Sequence, residues 1–84
     1  MSFHYVYLLE SKNDGNWYTG YTRDLRKRLQ QHRQGKVPST KHRLPITLIY
    51  FEGCKSKSDA LAHERYLKSG PGKRYLRNRL KRSL

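Results

Sequence analysis

Phe3-His4-Tyr5-Val6-Tyr7-Leu8-Leu9-Glu10, then the pair Asp14-Gly15, then Trp17-Tyr18-Thr19-Gly20-Tyr21-Thr22: this opening stretch decides how the chain folds. Runs rich in Tyr, Val and Leu suit a pleated, half-buried surface, so residues 3–10 and 17–22 read as strands. Asp-Gly between two such runs is a turn signal and makes them an antiparallel hairpin. Alternate residues of a strand share a face, so Tyr5 and Tyr7 point the same way.

Working outward, Asp24 or Thr22 is placed to cap a helix that runs to about Gln34, and Gly35 is placed to end it. Residues 36–45 are polar and bounded by prolines, so they are expected to form an exposed loop that buries little. Residues 46–52 hold Leu48, Ile49, Tyr50 and Phe51 in an apolar run that reads as a third strand. Ser56-Lys57-Ser58-Asp59 has the form of a capping box and opens a second helix to about Lys68. Gly70-Pro71-Gly72 reads as its stop, and residues 73–81 as a short basic helix carrying Tyr75, Leu76 and Leu80. The element order is β-β-α-β-α-α, an α+β class, in one domain over residues 1–84 without an internal repeat.

A domain of 84 residues buries only roughly 60 to 70% of its unfolded surface, so its core is lean and any site lies close to it. With 19 Lys and Arg against 6 Asp and Glu, the formal charge of +13 attracts a polyanion. Nucleic acid is therefore the first partner to expect. An acidic membrane surface is the second, but no segment approaches about 18 apolar residues, no apolar signal region opens the chain, and the last helix is too poor in bulky apolar residues to lie on lipid. The expected setting is soluble and cytoplasmic, with no membrane contact. Cys54 alone cannot form an internal disulfide, and the four histidines lack the paired Cys or His spacing that holds zinc.

On a helical wheel Leu25, Leu29, Arg28 and His32 fall within one stripe of about 100°. Two polar residues thus share the face meant for the core. A cation on an apolar stripe costs several kcal/mol unless an anion meets it, which directs Arg28 to a cleft at the sheet edge. The plainer alternative has Arg28 reaching solvent and His32 as a hydrogen-bonded core histidine. In the second helix Glu64 sits among Ala60, Leu61 and Leu67 on the buried side. It is either an ion pair with a neighbouring cation or a ligand for a hard metal ion such as Mg²⁺, which needs one carboxylate beside waters and substrate phosphate. A tyrosine acting as general base near pH 7 needs its pKa lowered by about three units, and a guanidinium and the positive field push that way. The basic residues Lys73, Arg74, Arg77 and Arg79 crowd the last helix, and Lys36, Lys41 and Arg43 the loop after the first. They are the expected nucleic-acid-binding set.

In this order the residues resemble the GIY-YIG nuclease superfamily, and within it a small single-domain branch. The likeness rests on Tyr5-Val6-Tyr7, on Tyr18-Thr19-Gly20-Tyr21-Thr22 with Asp24-Leu25 and Arg28-Leu29, and on Ala60-Leu61 with Glu64. It extends to Gly72-Lys73-Arg74-Tyr75-Leu76-Arg77-Asn78-Arg79-Leu80, so that it covers nearly the whole chain. The resemblance implies a three-stranded antiparallel sheet flanked by helices and a nuclease that uses one divalent metal, Mg²⁺ or Mn²⁺, to cleave phosphodiester bonds, with DNA ahead of RNA. It implies Tyr7 as general base or orienter of the attacking water, Tyr18 and Gly20 as the second tripeptide, and Arg28 as the brace for phosphate charge. His32 becomes the partner one turn on, Glu64 the metal ligand and Asn78 a supporting residue. Tyr5 stands where the family's name has glycine, and Tyr21 where a lysine often follows the second tripeptide, which makes Arg23 the substitute cation. A module of another class, a basic nucleic-acid-binding domain without turnover, fits the same charge.

Overall fold

A computed structural model describes residues 2–82 of the chain. Strands β1 (His4–Ser11), β2 (Trp17–Thr22) and β3 (Ile46–Cys54) form one antiparallel sheet in the order β2-β1-β3. Helix α1 (Leu25–Arg33) lies between β2 and β3 in the chain, and α2 (Lys57–Lys68) and α3 (Gly70–Arg79) follow β3. The expected α+β class and β-β-α-β-α-α order are what the chain adopts.

Being central, β1 is buried on both faces, and its alternation feeds two cores. Val6 and Leu8 meet Ala60 and Leu67 of α2 and Leu76 and Leu80 at the end of the chain's last helix. Tyr7 and Leu9 go to the opposite face, with Leu29 of α1 and Ile46 of β3. The sheet is thus the middle layer, with α1 on one side and the α2–α3 pair on the other. A register shift between Leu8 and Leu9 lets β3 follow β1 over its full length.

Local chemistry sets the ends of α1. The Asp24 carboxylate accepts from the Lys27 backbone N–H at 3.1 Å, satisfying one of the free donors of the first turn. At the other end the Gly35 N–H reaches the His32 carbonyl and the Lys36 N–H reaches the Gln31 carbonyl, both at 3.0 Å. This crossed pair needs a left-handed residue between helix and loop, and Gly35 supplies it with φ +73°. The turn after the helix is therefore fixed, and it aims the following loop back over α1.

Two expectations change. α2 stops at Lys68 as expected, but Gly70-Pro71-Gly72 belongs to the next helix and forms the first turn of α3, which starts three residues before the expected Lys73. Ser69 ends α2 and its hydroxyl accepts from the Gly72 N–H at 3.2 Å, so the proline falls where its missing N–H costs nothing. Gly72 packs so closely on α2 that a Cβ there would lie 2.7 Å from the Leu67 Cα. Residues 36–45 are also not wholly exposed, because Val37 and Thr40 are buried and a short 3₁₀ turn, Lys41–Arg43, continues from them.

Tyr7 is paired across the sheet with Gly20, and the phenol lies flat over that glycine. A Cβ at position 20 would sit 3.0 Å from the Tyr7 Cε1 and closer still to its Cζ and Oη. Gly20→Ala is therefore expected to destabilise the fold by about 1 to 3 kcal/mol, read from urea unfolding, because a buried ring has to leave its place.

Candidate active site

The Tyr7 side chain is 1% exposed and His32 is fully buried. The Tyr7 hydroxyl and His32 Nε2 are 2.8 Å apart, and His32 Nδ1 is 2.7 Å from Thr40 Oγ1. Thr40 in turn reaches the Val37 carbonyl at 3.5 Å. A carbonyl only accepts, so the Thr40 hydroxyl donates to it and accepts the proton on His32 Nδ1, leaving Nε2 to accept from the phenol. Tyr18 closes the cluster, with ring centroids 5.4 Å from His32 and 6.5 Å from Tyr7. The result is a line of proton donors, Tyr7 to His32 to Thr40, walled in by aromatic rings.

Burial pushes the Tyr7 phenol up from its ordinary range, and the neighbouring Arg28 guanidinium pulls it down without reversing the shift, while Tyr18 and Glu64 push it up. Tyr7 is thus a neutral phenol in this site, against the lowered value expected for a ready-made base. Removal from water outweighs the guanidinium. His32 is pushed down to about 4, first by burial and then by Arg28, so its imidazole is neutral and free to accept. Both shifts favour the uncharged forms that the hydrogen bonds need.

Arg28 is half-buried on α1 and donates from Nη1 to Gln31 Oε1 at 3.1 Å. The ion pairs among the described residues are Lys12 with Glu10, Arg43 with Asp14, His63 with Glu52 and Lys68 with Glu64. Arg28 therefore stands beside Tyr7 without a carboxylate. Glu64, on α2, has a side chain 18% exposed and pairs with Lys68, one turn on, at 3.3 Å. Its field reaches Tyr7.

Of the residues singled out from the sequence, Tyr7, Tyr18, Gly20, Arg28 and His32 come together, while Glu64 pairs with Lys68 and acts on Tyr7 through its charge. Arg23 is exposed and lines a groove with Tyr5, and Asn78 is exposed on α3. Lys36, Lys41, Lys73, Arg74, Arg77 and Arg79 are exposed. Arg43 is instead half-buried and tied in, with Nη2 donating to the Trp17 carbonyl at 3.3 Å and its own carbonyl accepting from Ser11 Oγ at 2.7 Å. Thr40 had no role in the sequence reading, and nothing in the polar run sets it apart from Ser39.

A model of the GIY-YIG catalytic domain matches residues 3–80. The chain belongs to the GIY-YIG family. Within that family it is 48% identical over 65 residues to a UPF0213 protein of Streptococcus pneumoniae, an alignment covering 76% of this chain and 65% of that one. It is 41% identical over 70 residues to a UPF0213 protein of Staphylococcus saprophyticus, covering 82% and 84%. The solution NMR structure of a UPF0213 protein from Bacillus halodurans is similar to it with a TM-score of 0.56 and 42% identity, over 88% of this chain and 81% of the other. Tyr7 and Gly20, the last residues of the two tripeptides that correspond to the family's name, are the pair stacked across the hairpin.

The depressed His32 value has a consequence for stability. Between an unfolded value near 6.5 and the folded value of about 4, the unfolded chain holds a proton that the folded one does not. Stability from this group is therefore complete above about pH 6.5 and is lost as pH falls through that window, by up to about 3 kcal/mol. Denaturant unfolding at a series of pH values is expected to show this slope in the wild type, and His32→Gln is expected to flatten it whatever its own stability.

Proposed function

We infer that this chain is a metal-dependent endonuclease that hydrolyses phosphodiester bonds in nucleic acid, with DNA ahead of RNA. The observation that carries the reading is the buried Tyr7–His32–Thr40 line ending beside an arginine that has no carboxylate partner among the described residues. A phosphate is the anion that such an arginine is built to receive.

The donor set fits a hard divalent ion. Among the described residues no three His, Cys, Asp or Glu side chains gather to cage a metal, which argues against zinc. One carboxylate, Glu64, suits Mg²⁺ or Mn²⁺, which keep waters and share substrate oxygens. The bound ion would supply charge neutralisation at the phosphate and a more acidic water.

The side chains do the rest. Arg28 braces the scissile phosphate and offsets charge as it builds on the phosphoryl oxygens. The Tyr7 proton is held by His32 Nε2, so the phenol oxygen turns its lone pairs away from that bond and accepts a proton from the attacking water. As it does so, its own proton passes to His32. The hydroxide oxygen bonds to phosphorus as the bond from phosphorus to the leaving oxygen breaks, the leaving alkoxide takes a proton from solvent, and the His32 imidazolium returns its proton to solvent. Both groups that hold His32 down, burial and Arg28, bear on this transfer, and a phosphate on Arg28 cancels the second. Substrate binding thereby makes His32 a better proton acceptor, and a phenol that is no ready-made base can still serve as a relay.

The reading without turnover has one observation in its favour, the engagement of Glu64 with Lys68. Lys68 is exposed although Glu64 is half-buried, and an i,i+4 helix pair is worth about 0.3 to 0.5 kcal/mol, so a divalent ion displaces it at little cost.

Incubated with supercoiled plasmid, single strands, branched DNA and structured RNA, the protein is expected to cut in Mg²⁺ and to stop in EDTA. Glu64→Ala and Arg28→Ala are each expected to lower the nicking rate by at least about a hundredfold while binding is largely kept. Cleavage that persists in purified Glu64→Ala protein overturns the assignment. Six exposed cations on the loop and α3 (Lys36, Lys41, Lys73, Arg74, Arg77 and Arg79) predict a slope of log affinity against log salt of about −5 for duplex DNA. A slope near −1 would remove them from the interface.

A further inference from the structure

On the sheet face that carries Tyr7, part of the β1–β3 surface lies open beside α1. Tyr5, Leu29 and Phe51 line a groove there of about 650 Å³, together with Arg23, Arg26 and Arg33. Phe51 is 53% exposed, and it is the cross-strand neighbour of Tyr7 on β3. Tyr5 meets the Phe51 ring edge-on at 6.4 Å and the Phe3 ring at the same separation, so aromatic groups run along the open strands. The Tyr5 ring lies against Gly53, where an added Cβ would be 3.3 Å from its Cε1. The acidic group in the lining, Asp24, already accepts from the Lys27 N–H as the cap of α1.

An aromatic floor with guanidinium groups around it takes a base on ring faces and backbone phosphates on the cations. A duplex keeps its bases stacked and offers such a surface little besides phosphate. A single strand offers both, and the groove shares a sheet face with Tyr7, whose backbone pairs with Phe51 while its phenol reaches the other way over Gly20 of β2. We propose that this groove binds an unpaired nucleotide on the sheet face that carries Tyr7, its base on Phe51 and its phosphates on Arg23, Arg26 and Arg33. The inference rests on the nuclease reading and narrows its substrate to nucleic acid that carries a single-stranded segment.

The test is binding in EDTA, where nothing turns over, read as fluorescence anisotropy of a labelled oligothymidylate of about twelve residues. Phe51→Ala is expected to lose about tenfold in affinity for it, and Phe51→Leu, which keeps apolar bulk without the ring, a similar amount. A blunt duplex is expected to change by less than about twofold, and an abasic oligomer of equal charge to bind wild type and Phe51→Ala alike. Equal affinity of wild type and both variants for oligothymidylate overturns the groove, as does an equal loss on duplex. So does a wild-type dimer in sedimentation that Phe51→Ala separates, because a second copy would then cover this face. Plasmid cutting with Phe51-independent binding removes the groove and leaves the nuclease. Phe51-dependent strand binding in a protein that cuts none of the substrates above keeps the groove and removes the nuclease.

Discussion

The molecule is organised by a single demand on β1, which has to fill two cores at once. A strand buried on both faces has no solvent side on which to place a polar group. Val6, Leu8 and Leu9 meet that demand as hydrocarbons. Tyr7 does not, because a buried hydroxyl left unpaired costs about 1 to 3 kcal/mol. The partner is His32, itself fully buried, and its remaining nitrogen then requires Thr40. The central strand, α1 and the loop that follows α1 are thereby bound into one polar line. Gly20 completes the set by omission, since only a residue without Cβ leaves the phenol room to reach across.

Most of the architecture was legible in the residues. Asp14-Gly15 between two Tyr-rich runs marks the hairpin, Asp24 and Gly35 bracket α1, and Ser56 opens α2, each through a local hydrogen bond that a short stretch of chain determines. Gly70-Pro71-Gly72 was misleading because its composition suits a break as well as a first turn. What distinguishes the two is the Ser69 hydroxyl ahead of it, which receives the Gly72 N–H. The wheel anomaly at Arg28 and His32 corresponds to a half-buried arginine and a fully buried histidine, and His32 takes the plain form, a hydrogen-bonded core histidine, while also neighbouring Tyr7. Thr40 was illegible, since its role depends on a loop folding back over α1. The direction of the Tyr7 shift was also illegible, because the sequence displays nearby cations but not the depth of burial that outweighs them.

The positive charge divides into two kinds that composition treats alike. Arg43 is spent on structure, joining the β1–β2 turn to the loop through Asp14 and the Trp17 carbonyl. The cations on α3 are exposed and bound to nothing comparable among the described residues, and Arg28 lies between these extremes, half-buried beside a phenol. Depth decides what each can do. An exposed lysine or arginine sees an anion through water and salt, whereas a half-buried guanidinium meets it with less screening and at a fixed orientation.

Ser69 closes α2 and opens α3 with one residue, and Gly72 brings the two helices into backbone contact. No slack residue separates them, so the pair is an elbow without a hinge. Glu64 is on one arm and Lys73, Arg74, Arg77 and Arg79 are on the other. The spacing between the carboxylate and the cations is therefore set by the angle of the elbow and the close Gly72 contact instead of by the length of a linker.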